Sequence, residues 1–163
     1  MVILGIDPGT GRTGFAYVES DGADSRSMID CGCIETPKGE KRENRLRLLF
    51  DALNSKMDAR RPDVMAVEQL FFNRNITTAM TVGEARGVIL LCAALHSVPI
   101  AEYTPLQVKE ALTGYGRASK TEVKEMVKIH LGIDKIKGPD DVSDAIAIAV
   151  CHSFAAGFQG TLC

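Results

Sequence analysis

The sequence predicts an α/β domain: a five-stranded mixed sheet, with an antiparallel meander joined to parallel strands, flanked by helices. Three observations carry this. Three short strand-like segments follow one another near the N-terminus with tight, glycine-bearing turns between them. The apolar period then lengthens to that of a helix, and a short apolar run comes next, as in a crossover to a parallel strand. Helical and strand-like segments alternate after that, and the chain closes on helices. With 163 residues, 45% hydrophobic and 25% charged, the chain suits a single folded domain over residues 1–163, with those after about 155 read as a loose tail.

Residues 2–6 are almost wholly apolar and stop at Asp7-Pro8-Gly9, which reads as a strand buried on both faces and then a turn. Residues 14–19 and 28–36 read as the next two strands, with turn signals at Gly11 and Asp21-Gly22. Leu46, Leu49, Phe50, Leu53 and Met57 recur at helical spacing until Pro62. Residues 64–67 form a short apolar strand ending at Glu68, placed parallel to the first. A helix comes next over residues 78–96, with Ala79, Gly83 and Gly87 spaced by four along one face. Glycine costs about 1 kcal/mol in a helix interior, so something packs close to that face: its own sheet, or a second subunit. Residues 99–103 are the fifth strand. Thr104-Pro105 opens a helix, and Ser119-Lys120-Thr121-Glu122 is a capping box that opens another. Gly138-Pro139 leads into a last, alanine-rich helix that carries Asp141 and Asp144.

Composition narrows the function. Nineteen basic residues against 21 acidic ones give a net charge of −2, which excludes a globally basic nucleic-acid binder but not a locally basic one. The five cysteines, an odd number without a C-x-x-C pair, suit reduced thiols and a cytoplasmic protein. The longest apolar run, residues 88–95, is too short for a bilayer, which needs about 20 residues, so no membrane partner is expected. The first residues lack the basic region of a secretion signal. His96, His130 and His152 show no zinc spacing with cysteine, and Cys31 and Cys33 read as small core residues on one strand face.

Four acids stand out by position. Asp7 ends the first strand and Glu68 ends the strand placed parallel to it, and carboxyl ends of strands are where ligands bind in open α/β sheets. Asp141 and Asp144 lie three apart, on one face of an otherwise apolar helix. Taken singly, Asp7 could serve a turn, Asp141 the start of a helix, and Glu68 a solvated strand end. Taken together they would repel: two carboxylates about 6 Å apart cost roughly 3 kcal/mol at an effective dielectric of 20. A cluster of this kind calls for hard cations, Mg²⁺ or Mn²⁺.

The motifs Ile3-Leu4-Gly5-Ile6-Asp7-Pro8-Gly9, Val67-Glu68-Gln69, Gly83-Glu84-Ala85-Arg86-Gly87, Gln107-Val108-Lys109 and Asp141-Val142-Ser143-Asp144-Ala145 occur in the order and spacing of RuvC-type Holliday junction resolvases, and the chain resembles that family from residue 2 to about 155. The resemblance implies an RNase H-like fold. It implies a homodimeric, Mg²⁺-dependent endonuclease of recombination and repair that resolves four-way DNA junctions by paired symmetric nicks. It assigns catalysis and metal binding to Asp7, Glu68, Asp141 and Asp144, sets Phe71 against bases near the crossover, and puts Lys109 and Lys120 beside the site. It also suggests cooperation with a branch-migration motor complex. Phe72 and Arg74 depart from what often stands in that loop, and Asp140 offers a fifth acid next to Asp141.

The expected chemistry is phosphodiester hydrolysis with two Mg²⁺ ions per site, Mn²⁺ being able to substitute, and with Lys109 or Lys120 stabilising transition-state charge. Arg74, Lys109, Arg117, Lys120 and Lys124 are the candidate basic patch for DNA, whereas residues 41–47 and Arg60-Arg61 read as solvated helix charges. An exposed Phe71 would hold an unstacked base. Three rivals are weighed. A phosphate-cradling ATPase of the sugar-kinase type needs a second domain for which 163 residues leave no room, and a non-catalytic junction-binding module would lack the acids. The third, another RNase H-like nuclease acting on a different branched or hybrid nucleic acid, stays open.

Overall fold

Alternation along β1 (Val2–Asp7) divides the molecule into two layers. Leu4 and Ile6 point to one face of the sheet, and Ile3, Gly5 and Asp7 to the other. The computed structural model describes residues 1–22, 25–69 and 76–160, with side chains omitted at 76–78 and 157–160. β2 (Arg12–Ser20) and β3 (Arg26–Glu35) continue from β1 as an antiparallel meander, as the turn signals predict. α1 (Arg42–Ala59) crosses over to β4 (Val64–Glu68), which pairs parallel with β1. α2 (Ile76–Leu95) leads to β5 (Ile100–Tyr103), parallel to β4, and completes a sheet of order β3-β2-β1-β4-β5. α3 (Pro105–Thr113), α4 (Lys120–Leu131) and α5 (Asp140–Gly160) complete the chain order.

The predicted caps form. Thr104 and Ser119 each accept from the backbone N–H three residues on, and Gln107 and Glu122 return the bond. Gly114 and Gly132 end the two helices in the left-handed region, where a side chain would be strained. α5 continues to Gly160, past the point near 155 where a loose tail is expected.

One core lies between the sheet and α1 with α2: Leu4, Ile6, Phe15, Tyr17, Met65 and Val67 meet Leu49, Leu53, Met57, Ile89 and Cys92. The other lies under α5, where Ile3, Ala16, Val18 and Ala66 meet Ala145, Ile146, Ala149 and Val150, and α3 and α4 pack behind. α5 approaches the sheet unusually closely. A Cβ on Gly5 would stand 2.2 Å from the Ala145 carbonyl oxygen, and one on Gly14 would stand 1.9 Å from that of Asp141. Glycine is the only residue that lets the helix backbone rest on the strand backbone there.

Two readings of the sequence change. Gly87 does not pack on its own sheet: among the described residues, helix backbone aside, nothing lies within 4 Å of where its Cβ would be, and the same flank of α2 exposes Met80, Leu91 and Leu95. The arginines of α1 and its end are not all solvated charges. Arg45 donates to Thr36 Oγ1 (2.9 Å) and to the Thr10 carbonyl (2.7 Å), pinning the β1–β2 turn, and Arg61 donates to the carbonyls of His96 and Ser97. A long, flexible stem lets arginine reach loop carbonyls that helical periodicity does not register.

Gly14→Ala is expected to destabilise the protein by about 3 kcal/mol or more, because the clash is with backbone and cannot be relieved by a rotamer change; that lowers the melting temperature by roughly 6–12 °C. Gly39→Ala, with open space around it, should melt within a degree or two of the parent. Equal melting of the two variants in a thermal scan would contradict the close helix–sheet contact.

Candidate active site

Register brings the first two acids together. Gly5 pairs with Ala66 and Ile6 with Val67, so the next step along the parallel ladder sets Asp7 beside Glu68. Both lie on the face covered by α5, in phase with Gly5 and Ala66. α5 brings the other two. Its contacts with Gly5 and Gly14 hold its first turns over the end of β1, with Asp141 above Gly14 and Asp144 turned towards Glu68 in a pocket of about 240 Å³. Glu68, Lys109, Lys120 and Asp144 form the polar lining of this pocket, and Val108, Val123 and Ile148 much of its apolar wall.

The electrostatics record the convergence. Burial, and then the charges of Glu68, Asp144 and Asp141, push the Asp7 carboxyl up to about 8. Burial and Asp144 raise Glu68 as well, against the lowering effect of a hydrogen bond accepted from Asp7. Asp7 thus holds its proton well above the usual carboxylate range, in a hydrogen bond to Glu68. Cations stand at the other two acids. Lys120 Nζ lies 3.0 Å from Asp144 Oδ2, a bond that raises the lysine's pKa, and Arg12 Nε lies 3.6 Å from Asp141 Oδ2. Asp140, next in line, faces away: its carboxylate accepts from Lys124 at 2.7 Å, and that bond holds its pKa low.

The sequence-based candidates thus separate. Asp7, Glu68, Asp141 and Asp144 come near enough to act on one another's charge, and Lys109 and Lys120 line the pocket of Glu68 and Asp144. Lys124 sits one turn along α4, engaged with Asp140, and Arg117 is exposed in the turn before α4. Phe71, Phe72 and Arg74 lie outside the described residues. Periodicity did not find Arg12 or Lys38, which with Thr10, Thr36 and Asp141 line a groove of about 780 Å³ on the opposite side of the cluster. The available signal was that Arg12 begins the strand hairpinned to β1, and so stands across the turn from Asp7.

The four carboxylates form an oxygen-only donor set suited to a hard divalent ion. Among the described residues no three acidic, histidine or cysteine side chains stand close enough together to hold one ion as they are, since Asp141 leans towards Arg12 and Asp144 towards Lys120. Burial and the neighbouring carboxylates together raise Asp7, and a divalent cation would offset both, so donor chemistry and charge fit Mg²⁺ or Mn²⁺.

Comparison with known proteins identifies the family. Residues 3–152 match the family model described as crossover junction endodeoxyribonuclease RuvC. The chain is 48% identical over 153 residues to the crossover junction endodeoxyribonuclease RuvC of Pelotomaculum thermopropionicum, covering 94% of this chain and 93% of the relative. It is 50% identical over 156 residues to that of Moorella thermoacetica, covering 95% and 93%. The solved structure of Thermus thermophilus RuvC in complex with a Holliday junction substrate superposes with a TM-score of 0.92 at 36% identity, over 98% of this chain and 96% of that one. A yeast mitochondrial Holliday junction resolvase, Ydc2, shares the fold at a TM-score of 0.66 and 13% identity, over 96% of this chain and 82% of that one.

The raised Asp7 has a sign that can be checked. Its folded pKa of about 8 lies above the ordinary 3.8, so the folded state holds the extra proton between these values. The Asp7 contribution to the stability of the ion-free protein is therefore lost as pH rises from about 4 to about 8. Asp7→Asn should remove most of that loss and raise the melting temperature at pH 8 by roughly 5 °C. Mg²⁺ should stabilise the parent more at pH 8 than at pH 5. Parent and Asp7→Asn proteins with the same pH dependence of melting, without divalent ions, would contradict the raised Asp7.

Proposed function

Because this chain belongs to the RuvC family of crossover junction endodeoxyribonucleases, we propose that it is a Mg²⁺-dependent endonuclease that resolves four-way DNA junctions by a pair of symmetric nicks. The observation that carries the reading is the juxtaposition of Asp7 and Glu68 on adjacent strand ends beneath Asp141 and Asp144, with Lys109 and Lys120 lining the pocket that Glu68 and Asp144 share. The relative whose solved structure holds a Holliday junction shares the fold over nearly its whole length.

Asp7, Glu68, Asp141 and Asp144 would hold two ions. When bound, these would activate the attacking water and stabilise the leaving 3′ oxygen, Mn²⁺ being able to take the place of Mg²⁺. Asp7 would release its proton to solvent when ions bind, so that all four carboxylates could hold them as anions. Lys120, released from Asp144, and Lys109 on the same pocket wall turn their ammonium groups towards the non-bridging oxygens of the scissile phosphate, where charge grows in the transition state. Setting the four acids aside leaves 19 basic residues against 21 acids less four, so the protein can face DNA with a positive rim despite its net charge. Arg12 and Lys38 extend that rim along the groove beside Asp141, and Arg117 and Lys124 extend it past α4. Phe71 stacks on an unpaired base at the crossover, and Arg74 meets the backbone beside it.

Two nicks in opposed strands require two active sites related by a two-fold axis, so the working form is a homodimer. The outer flank of α2 suits a second copy. Met80 (61% exposed), Leu91 (54%) and Leu95 (62%) form an apolar stripe there, and bare Gly87 allows close helix approach. A branch-migration motor supplying positioned junctions is a further partner, and the cytoplasm is the setting. Among the described residues no helix is long and apolar enough to cross a membrane.

A second reading, an RNase H-like nuclease for another branched or hybrid nucleic acid, would use the same acids, so substrate choice separates the two. Presented side by side with Mg²⁺, a four-way junction should be cut at least about tenfold faster than an RNA–DNA hybrid or a linear duplex; preference for the hybrid would favour the second reading. Asp144→Asn should bind the junction with parental affinity while cleavage falls by roughly 10³-fold or more, read by band shift and single-turnover kinetics. Leu91→Glu should be monomeric in sedimentation and lose paired nicking, with its melting temperature lowered only by the lost dimer contact. A Leu91→Glu protein that stays dimeric would move the interface elsewhere.

A further inference from the structure

Glu68 is the last residue of β4 and has no helix of its own to hold it in line. The next residue is fixed instead. The Gln69 N–H donates to the Tyr103 carbonyl at 2.8 Å, continuing the ladder one step past Glu68. In an extended chain Gln69 points away from Glu68, to the α2 face, where its Nε2 donates to Glu102 Oε2 at 3.4 Å. Glu102, opposite Val67 in register, is in turn held by an ion pair with Arg86 of α2.

Arg86 is an expensive choice at this place. Its side chain is only 19% exposed, and its Nε is buried without a hydrogen-bond partner among the described residues. Withdrawing a guanidinium from water for one carboxylate that is itself 37% exposed is weak support for folding stability. Its position explains it better: the pair stands directly behind the strand end that presents Glu68, on the opposite face of the sheet.

We propose that Arg86 is a positioning residue for catalysis, which through Glu102 and Gln69 locks the pleat at the end of β4 and so holds Glu68 against Asp7. It also ties the sheet end to α2, the helix whose outer flank suits the second copy, so each site is braced by the element on which the dimer would close. This rests on the nuclease reading for its kinetic consequence, but not for its structural one.

The test compares Arg86→Gln, Arg86→Lys and Glu102→Gln in the full chain. Arg86→Gln and Glu102→Gln should keep junction KM and sedimentation within about twofold of the parent, lower kcat at least tenfold, and raise the half-saturating Mg²⁺ concentration several-fold. Hydrogen exchange at the Gln69 amide should quicken at least tenfold in both, while the amides of β1 and β2 keep their protection. Arg86→Lys, which retains a cation for Glu102, should restore most of the Gln69 protection and most of kcat. Parental Gln69 exchange in Arg86→Gln would overturn the brace whatever the activity; quickened exchange with parental kcat would overturn its catalytic role. If even the parent cuts no junction, the nuclease reading fails, while the exchange result still judges the brace.

Discussion

The backbone of α5 rests on the backbones of β1 and β2 with only glycine between them, and the site depends on this contact. Any side chain at Gly5 or Gly14 would lift the helix, because its Cβ would fall about 2 Å from a helix carbonyl oxygen. The helix brings Asp141 and Asp144 with it. Carboxylates on a helix two or three ångströms further out would no longer crowd Asp7, and the pocket beside Glu68 would open to water. The same contact buries an alanine-rich face of α5, which needs small residues on both sides to pack at this distance.

A cluster built in this way opposes folding. Four carboxylates are held near one another by packing elsewhere in the domain, and the protein answers their burial and repulsion with a proton held more tightly on Asp7 and with Lys120 and Arg12 at the flanks. These are weak, exchangeable answers: one proton, and two mostly exposed side chains. They leave a strong demand for positive charge without filling it permanently. A site that must take up ions and a polyanion together benefits from such counterions, because each can leave its carboxylate and serve the phosphate.

The two layers divide the work. The α5 layer carries the acids and the pocket lysines. The α1–α2 layer carries the second core, the apolar flank of α2 and the Arg86–Glu102 pair behind Glu68. A sheet one residue thick separates them, so whatever holds a strand end on one face sets the side chain on the other. Arg45 acts in the same way at the β1–β2 turn, holding the Thr10 carbonyl and Thr36 from α1 while Asp7 stands just before that turn on the far face.

Much of this was legible in the linear chain. Strand alternation, the helical period after residue 40, the two capping boxes and Asp7, Glu68, Asp141 and Asp144 were all readable, because periodicity, capping and strand-end position are local properties that neighbouring residues determine. The motif order carried the family. Other features were not legible. That Gly87 faces outward, that Arg45 and Arg61 hold carbonyls of neighbouring loops, that Arg12 shares the acid cluster, and that Asp140 turns to Lys124 depend on which elements pack together and at what distance. Only tertiary structure decides them, because an approach between residues a hundred positions apart is set by the packing of whole faces and leaves no period in the sequence.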